Sequence, residues 1–432
     1  MFKVFLYDEF SPEDNAMLQA LYSRSPKSVE EHVEKVRASS SGKFMSTFYV
    51  GYGHSSIADC GSTTLFIEGL SILADKAIQD WPLYSGQETS TRYVNMAEQP
   101  VIDPLKTEAS KNIIDNWMDF YIKASHPLVL YLKELYPIQK DQKENIYEKA
   151  IKARSFDILR AFLPSGITTQ LSWHTNLRQA ADKLLLLKHW PLPEVQEIAE
   201  AILNQLKNRY EHSFSHVPTI EQEDYRREFM EQYTYFNPEE TPEFECQFNL
   251  NKKEFEKYKE IIAKRPLKTS LPRFLGELGN VCFDFHLDYG SFRDIQRHRN
   301  GQCRMPLLTT KLGFHQWYLD QLPEELKKQA VSLIEQQTEK INDLDTDLAI
   351  KQYYTALGYK VPCRVAYGLP ALVYVIELRS GKPVHPTLRT IAHKMHEAVV
   401  KEFPFLKLYT DLEPSEWDIK RGTQDIVEVD KS

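Results

Sequence analysis

Two long apolar stretches, residues 57–79 and 273–296, each run into a short cluster of polar and charged side chains. This doubled arrangement constrains the fold more than any other feature of the chain. In the first stretch Leu65, Phe66, Leu70, Leu73, Ala74 and Ile78 recur at helical spacing, and the chain then reaches Gln87-Glu88-Thr89-Ser90-Thr91-Arg92-Tyr93. The second stretch ends in Arg297-His298-Arg299. Each half also closes alike, with apolar residues 184–187 before an amphipathic segment at 193–209, and 372–378 before another at 385–402. Elements repeated in the same order point to two copies of one domain.

The 432 residues suffice for two domains, at roughly 100–200 residues each. Residues 2–6 read as a strand. Helical periodicity covers about 105–136, 143–163 and 176–188, and then 193–209, where Val195, Ile198, Ala199, Ile202, Leu203 and Leu206 form the buried stripe. Residues 212–245, rich in proline and charge, read as a linker. Helical spacing resumes at about 251–263 and 322–344. The expected division is one domain at 1–211, the linker at 212–245 and a second domain at 246–432.

Hydrophobic residues make up 42% and charged residues 26%, as in ordinary globular proteins. A net charge of -8 argues against wholesale binding to nucleic acid, whereas a few converging arginines suffice for a small anion. Five scattered cysteines without a C-x-x-C pair argue against a disulfide framework or a zinc knuckle. No segment has the apolar length of a membrane span, and a cytoplasmic location is expected. His385, His393 and His396 lack a metal-binding pattern, so no metal is expected.

Glu88, Ser90 and Arg92 offer a carboxylate, a hydroxyl and a guanidinium, a set that suits a sugar-phosphate. A solvated loop with an internal ion pair accounts for the same residues. Arg297-His298-Arg299 suits a diphosphate or an electron-rich ring, and equally a basic helix end that complements the macrodipole. On the residues alone both alternatives stay open.

Together the two clusters resemble the signature R-H-R-x-x-S-x-N-E-x-S-x-R-Y of the flavin-dependent thymidylate synthases, the ThyX family. With Arg92-Tyr93 on its last positions, Gln87, Glu88 and Ser90 fall on the asparagine, glutamate and second serine, while Asp80-Trp81-Pro82 stand where R-H-R is expected. The second half keeps Arg297-His298-Arg299 instead. Gly53-His54-Ser55-Ser56 resembles the family's G-H-x-S, Arg160-Ala161-Phe162-Leu163-Pro164 its R-x-x-L-P, and Trp173 to Arg178 its W-x-x-N-x-R. The segment from Glu377 to Arg389 resembles its closing segment, whose first arginine is Arg379. The first half has Leu187-Lys188-His189-Trp190 there.

The resemblance implies an α+β fold, two ThyX-like domains in tandem, each with long helices packed on a small, mainly antiparallel sheet. It implies reductive C5 methylation of dUMP with FAD as cofactor and NADPH and methylenetetrahydrofolate as co-substrates, at one composite site between the copies. Arg379 would be the catalytic, polarising residue. Gln87, Glu88, Ser90, Arg92, Arg160, Arg297 and Arg379 would bind the nucleotide, and Ser56, Glu88, Asn176, Arg178, Arg297, His298 and Arg299 the FAD. A homodimer would form a pseudo-tetramer. Asp294, where the family usually has glutamine, departs from the pattern. One-carbon transfer to another pyrimidine nucleotide and a non-catalytic nucleotide- or flavin-binding protein are therefore competing readings.

Overall fold

The structure, a computed structural model, describes residues 9–91, 94–140, 142–234, 241–305 and 307–414. The strand expected at 2–6 lies outside them. Helices α1 (Pro12–Tyr22) and α2 (Val29–Ala38) lead to strand β1 (Ser62–Ser71), helix α3 (Ile72–Gln79) and strand β2 (Ser85–Glu88). Helices α4 (Glu108–Leu135) and α5 (Glu144–Leu159), strand β3 (Thr168–Asn176) and helices α6 (Leu177–Leu187), α7 (Pro193–Arg209) and α8 (Ile220–Thr234) follow. The chain continues through β4 (Phe244–Leu250), β5 (Gly279–Asp288), α9 (Tyr289–Gln296), β6 (Gly301–Arg304), α10 (Glu324–Asp343), β7 (Lys360–Gly368), α11 (Leu369–Arg379) and α12 (Pro386–Glu402). Shorter helical turns connect them.

The fold is α+β with two small sheets, ordered β1-β3-β2 and β4-β5-β7-β6. The pairings β2–β3, β4–β5, β5–β7 and β6–β7 are antiparallel.

Neither long apolar stretch is one helix. Residues 57–79 and 273–296 each divide into a 3₁₀ turn, a strand and a short helix. The reason is visible in β5, where Val281, Phe283, Phe285 and Leu287 alternate and are all buried, the period of a strand rather than a helix. The break to α9 comes at Asp288, whose carboxylate caps the helix by accepting from the Ser291 N–H at 2.9 Å. Within the expected linker, residues 220–234 form α8 and Phe244 opens β4, while residues 235–240 lie outside the described set.

With these corrections the element order recurs closely. The 3₁₀ turn Ser55–Cys60 is followed by β1, α3, β2, α4 and α5, whose place in the second half is taken by the single turn Leu348–Lys351, and then by the 3₁₀ turn Arg160–Phe162, β3, α6 and α7. Arg273–Leu278 is followed by β5, α9, β6 and α10, then Gln352–Tyr354, β7, α11 and α12. The sheet order β1-β3-β2 matches β5-β7-β6.

The compact units do not follow the contiguous division expected from the sequence. One comprises the described parts of Met1–Leu70, Ala74–Glu88 and Thr169–Tyr233; the other takes Ser71–Leu73, Thr89–Thr168 and the described part of Thr234–Ser432. Helices α4 and α5 thus belong with the chain's second half. The cause is a backbone ladder inside the second unit. Ser165 and Gly166 donate to the carbonyls of Thr355 and Tyr353 at 3.0 and 2.8 Å, and Leu357 and Gly358 donate to those of Leu163 and Ala161 at 2.9 and 2.8 Å. In the recurring element order Ala161, Leu163, Pro164, Ser165 and Gly166 correspond to Tyr353, Thr355, Ala356, Leu357 and Gly358. The ladder is therefore self-complementary about the bridge between Pro164 and Ala356, as in an isologous contact.

Around this ladder the equivalent helices α4 and α10 pack on each other. The buried Trp117 ring N–H donates to the Tyr354 carbonyl at 3.0 Å, and buried Gln337 donates to the Ile113 carbonyl at 2.7 Å. Each such bond satisfies a backbone group that would cost about 1–3 kcal/mol if buried unpaired.

Gly358 ends the ladder where a Cβ would come within 2.2 Å of the Phe314 ring, itself packed at 5.1 Å on Phe162 and 5.4 Å on Tyr359. Gly358→Ala is expected to destabilise the second unit by about 1–3 kcal/mol through overpacking. Urea unfolding followed by tryptophan fluorescence checks it, and an unchanged midpoint would contradict the tight closure.

Candidate functional site

In the second unit, Arg297, His298 and Arg299 follow the end of α9, and Arg379 is the last residue of α11. The Arg379 Nε donates to His298 Nε2 at 2.7 Å, and its Nη2 donates to the Asp294 carbonyl at 2.6 Å. A guanidinium has no acceptor, so His298 must present a bare Nε2 and carry its proton on Nδ1. Burial, and then the neighbouring Arg379, push the imidazole down to about 3, with Arg299 and Arg297 adding to the effect against the opposing Asp294. His298 is thus a neutral acceptor that fixes the orientation of Arg379. Burial also lowers Arg379, against the pull of Asp294. The Arg297 guanidinium, half exposed, lies 3.5 Å from the Asp294 carboxylate, and Arg299 donates to the Arg297 carbonyl at 3.2 Å. The Tyr374 ring stands edge-on to His298 with centroids 6.0 Å apart. This corner gathers three guanidiniums around one uncharged ring, an arrangement suited to an anionic planar ligand.

Arg160, expected to hold nucleotide, is buried in a neighbouring hub of the same unit. Its Nη2 donates to Ser291 Oγ at 3.3 Å, and its Nε lies 3.7 Å from the Asp157 carboxylate. Asp288 accepts from the Tyr318 hydroxyl at 2.8 Å. Ser291 Oγ lies 3.2 Å from His385 Nδ1 and 2.8 Å from Thr387 Oγ1. Burial alone would lower Arg160, but Tyr318, Asp157, Asp294 and Asp288 together raise it, so it stays charged. Its partners in this structure are protein groups.

In the first unit, Glu88 ends β2 and accepts from Gln79, which also donates to both oxygens of buried Asp75 at 3.0 and 2.9 Å. Gln87 pairs with Ser172 across the sheet, its N–H donating to Ser172 Oγ at 3.1 Å. Asn176 caps α6 by accepting from the Gln179 N–H at 2.8 Å. Arg178 donates to Asp59 at 2.8 Å and to Asp182 at 3.4 Å. Ser56 lies exposed in the 3₁₀ turn. Ser90 belongs to the second unit, its carbonyl accepting from the Val94 N–H at 3.1 Å. Arg92 and Tyr93 lie outside the described residues.

The first unit holds a different corner where the second has its arginines. Asp80-Trp81-Pro82 follow α3, and α6 ends in buried Leu187 instead of arginine. Lys183, one turn before Leu187, is buried and stands outside the residues expected from the sequence. Its Nζ donates to the Asp80 carbonyl at 2.8 Å and lies over the Trp81 and Trp190 rings at 5.8 and 5.4 Å. Tyr233 of α8 donates to the Asp80 carboxylate at 2.8 Å. The signal was available: Lys183 interrupts the buried stripe of Ala180, Leu184 and Leu187. Among the described residues no His, Cys, Asp and Glu group could hold a metal. His385, His393 and His396 make hydrogen bonds to Ser291, the Asp411 carbonyl and Thr410 instead. No helix of the described residues is long and apolar enough to cross a membrane.

Two outcomes are expected. Histidine ring resonances assigned with a His298→Gln variant should show His298 neutral and unshifted from pH 5 to 8; a titration near the ordinary imidazole value would refute the neutral acceptor. Burial lowers Lys183 from 10.5 to about 8, against the pull of Asp80. Between those values the unfolded chain holds a proton that the folded chain does not, so stability rises with pH across the window. Relative to Lys183→Met, the wild type should gain up to about 3 kcal/mol between pH 8 and 10.5. Paired denaturant titrations read the difference, and a flat one would count against the buried amine.

Residues 6–210 match the family model described as thymidylate synthase complementing protein. A UPF0159 protein of Chlamydia muridarum is 26% identical, the match covering 87% of this chain and 82% of that protein. A UPF0159 protein of Chlamydia pneumoniae is 25% identical over 87% and 81%, and UPF0159 protein Ta1429 of Thermoplasma acidophilum 22% over 91% and 94%. A solved structure of the Helicobacter pylori flavin-dependent thymidylate synthase ThyX with FAD and dUMP is 17% identical, covers 47% of this chain and 94% of its own, and gives a TM-score of 0.29, too low to bear on the fold. The similarity to the thymidylate synthase complementing protein family thus lies in residues 6–210, just under half of the chain.

Proposed function

We propose that the chain is a flavin-dependent thymidylate synthase-like enzyme that methylates C5 of dUMP, with methylenetetrahydrofolate as carbon donor and NADPH as reductant. The observation that carries this reading is the arginine corner, in which Arg379 is aimed by His298 Nε2 and the Asp294 carbonyl. A cation held in place before the ligand arrives stabilises negative charge developing on a pyrimidine without reorganisation. Arg297, half exposed beside it, is suited to a phosphate.

The donor set also fits FAD. Arg297, Arg299 and neutral His298 would hold it from the second copy, and Ser56, Glu88, Asn176 and Arg178 from the first. The Asn176 amide nitrogen stays available because the cap uses only its oxygen. When bound, FAD would supply the redox chemistry. Gln87, Glu88, Ser90, Arg92 and Arg160 complete the proposed nucleotide set, with Arg160 needing to exchange Ser291 and Asp157 for ligand contacts.

We read the two halves as a tandem duplication whose copies each kept one face of a composite site. The recurring element order and the self-complementary ladder support this. Two such chains would associate into a pseudo-tetramer. Asp294 favours a second reading, transfer to another pyrimidine nucleotide, because its carboxylate faces Arg297 where an amide could both donate and accept.

Purified protein should be yellow or take up FAD, and it should release the C5 hydrogen of dUMP when given methylenetetrahydrofolate and NADPH. Arg379→Ala should lower kcat by about 10²–10³-fold, as for loss of one preorganised charge-stabilising group. Release from UMP but not from dUMP would decide for the second reading. A colourless protein indifferent to flavin would leave a nucleotide-binding role and overturn catalysis.

A further inference from the structure

The segment after α12 grips the end of α11 on both sides of Arg379. Lys407, Tyr409 and Asp411 alternate along an extended stretch, and Glu377 and Ser380 share one face of the helix end, so the two periods meet. The Tyr409 N–H donates to Glu377 Oε1 at 2.8 Å, and the Asp411 N–H donates to Ser380 Oγ at 3.2 Å. Ser380 Oγ in turn donates to the Glu377 carbonyl at 3.0 Å.

Two buried arginines lock this arrangement. Arg265 forks onto Glu377 and donates to the Lys407 carbonyl at 2.9 Å, while its own carbonyl accepts from the Tyr409 hydroxyl at 2.6 Å. Arg389, fully buried on α12, donates from Nε to the Ser380 carbonyl at 2.6 Å. Its Nη2 donates to the Asp411 carbonyl at 3.0 Å and lies 3.1 Å from the Asp411 carboxylate. The Ser380 carbonyl belongs to a helix end that lacks an intrahelical partner, so Arg389 serves as its cap. His393 bonds the Asp411 carbonyl at 2.9 Å, and buried Leu406 anchors the start of the segment.

We propose that Arg389 is a positioning residue: with residues 406–411 it forms a brace that sets where α11 presents Arg379. This rests on reading Arg379 as the polarising group. The head of Arg379 is held at 2.7 and 2.6 Å by His298 and the Asp294 carbonyl, contacts that tolerate little movement of the helix end. A displacement of about 1 Å at such a group can cost about 10²-fold in rate. Lysine cannot replace Arg389, because a single ammonium cannot reach the Ser380 carbonyl and both Asp411 acceptors in one plane.

Full-length Arg389→Lys, with Ser380→Ala and Asp411→Asn as milder variants should the first fail to fold, provide the test. Hydrogen–deuterium exchange across residues 376–384 should speed up at least tenfold in the variants, without any ligand; unchanged exchange overturns the brace. In turnover, Arg389→Lys should lower kcat about tenfold with the flavin spectrum unchanged, and the loss should vanish in an Arg379→Lys background. An equal loss in both backgrounds means the two residues act independently and also overturns the proposal. If the wild type turns over no nucleotide, the reading of Arg379 falls, while the exchange result still decides the brace.

Discussion

Four backbone hydrogen bonds between residues 161–166 and 353–358 organise the second unit. They draw in α4 and α5 from the first half, and with them Arg160. Every member of the ladder has a counterpart making the reciprocal bond, so neither strand can shift register alone. Gly166 and Gly358 are bound to this geometry: added Cβ atoms would meet the Ile102 carbonyl at 2.7 Å and the Phe314 ring at 2.2 Å. Reciprocal bonding of this kind has the pattern of an isologous contact across a two-fold axis.

The two corners show how one backbone frame takes opposite electrostatic forms. After α9, the second unit places a neutral imidazole under Arg379, leaving Arg297 half exposed to solvent. After α3, the first unit fills the matching position with Trp81 and buries Lys183 against two indole rings. One corner keeps positive charge available; the other encloses it. The difference lies in a handful of side chains, since α6 and α11 begin and end at equivalent positions.

Much of this was legible in the sequence where one local period dominates. The helices at 108–135, 177–187, 193–209 and 386–402 fell close to their expected bounds because their apolar stripes repeat over several turns. The strands at 62–71 and 279–288 carry a helix-like sequence pattern because leucine and phenylalanine fit either period when a strand runs straight into a helix. At the candidate site, resemblance to a family signature singled out Arg297, His298 and Arg379, and the structure places Arg379 against His298. The burial of Arg160 could not, because Ser291 and Tyr318 reach it only through the long-range ladder. Lys183 was lost in a leucine-rich helix, where a single charge reads as surface.

The interleaving of the units has a consequence for synthesis. Helix α4 leaves the ribosome with Ile113, Trp117 and Tyr121 on an apolar face whose cover includes Tyr354 and Gln337. Those partners are made only after the whole first unit has been translated. A nascent chain must carry that sticky face for most of its elongation, a state in which chaperones and aggregation compete. The same threading makes the architecture hard to undo, because no single cut between residues 212 and 245 would leave two pieces that each own a complete core.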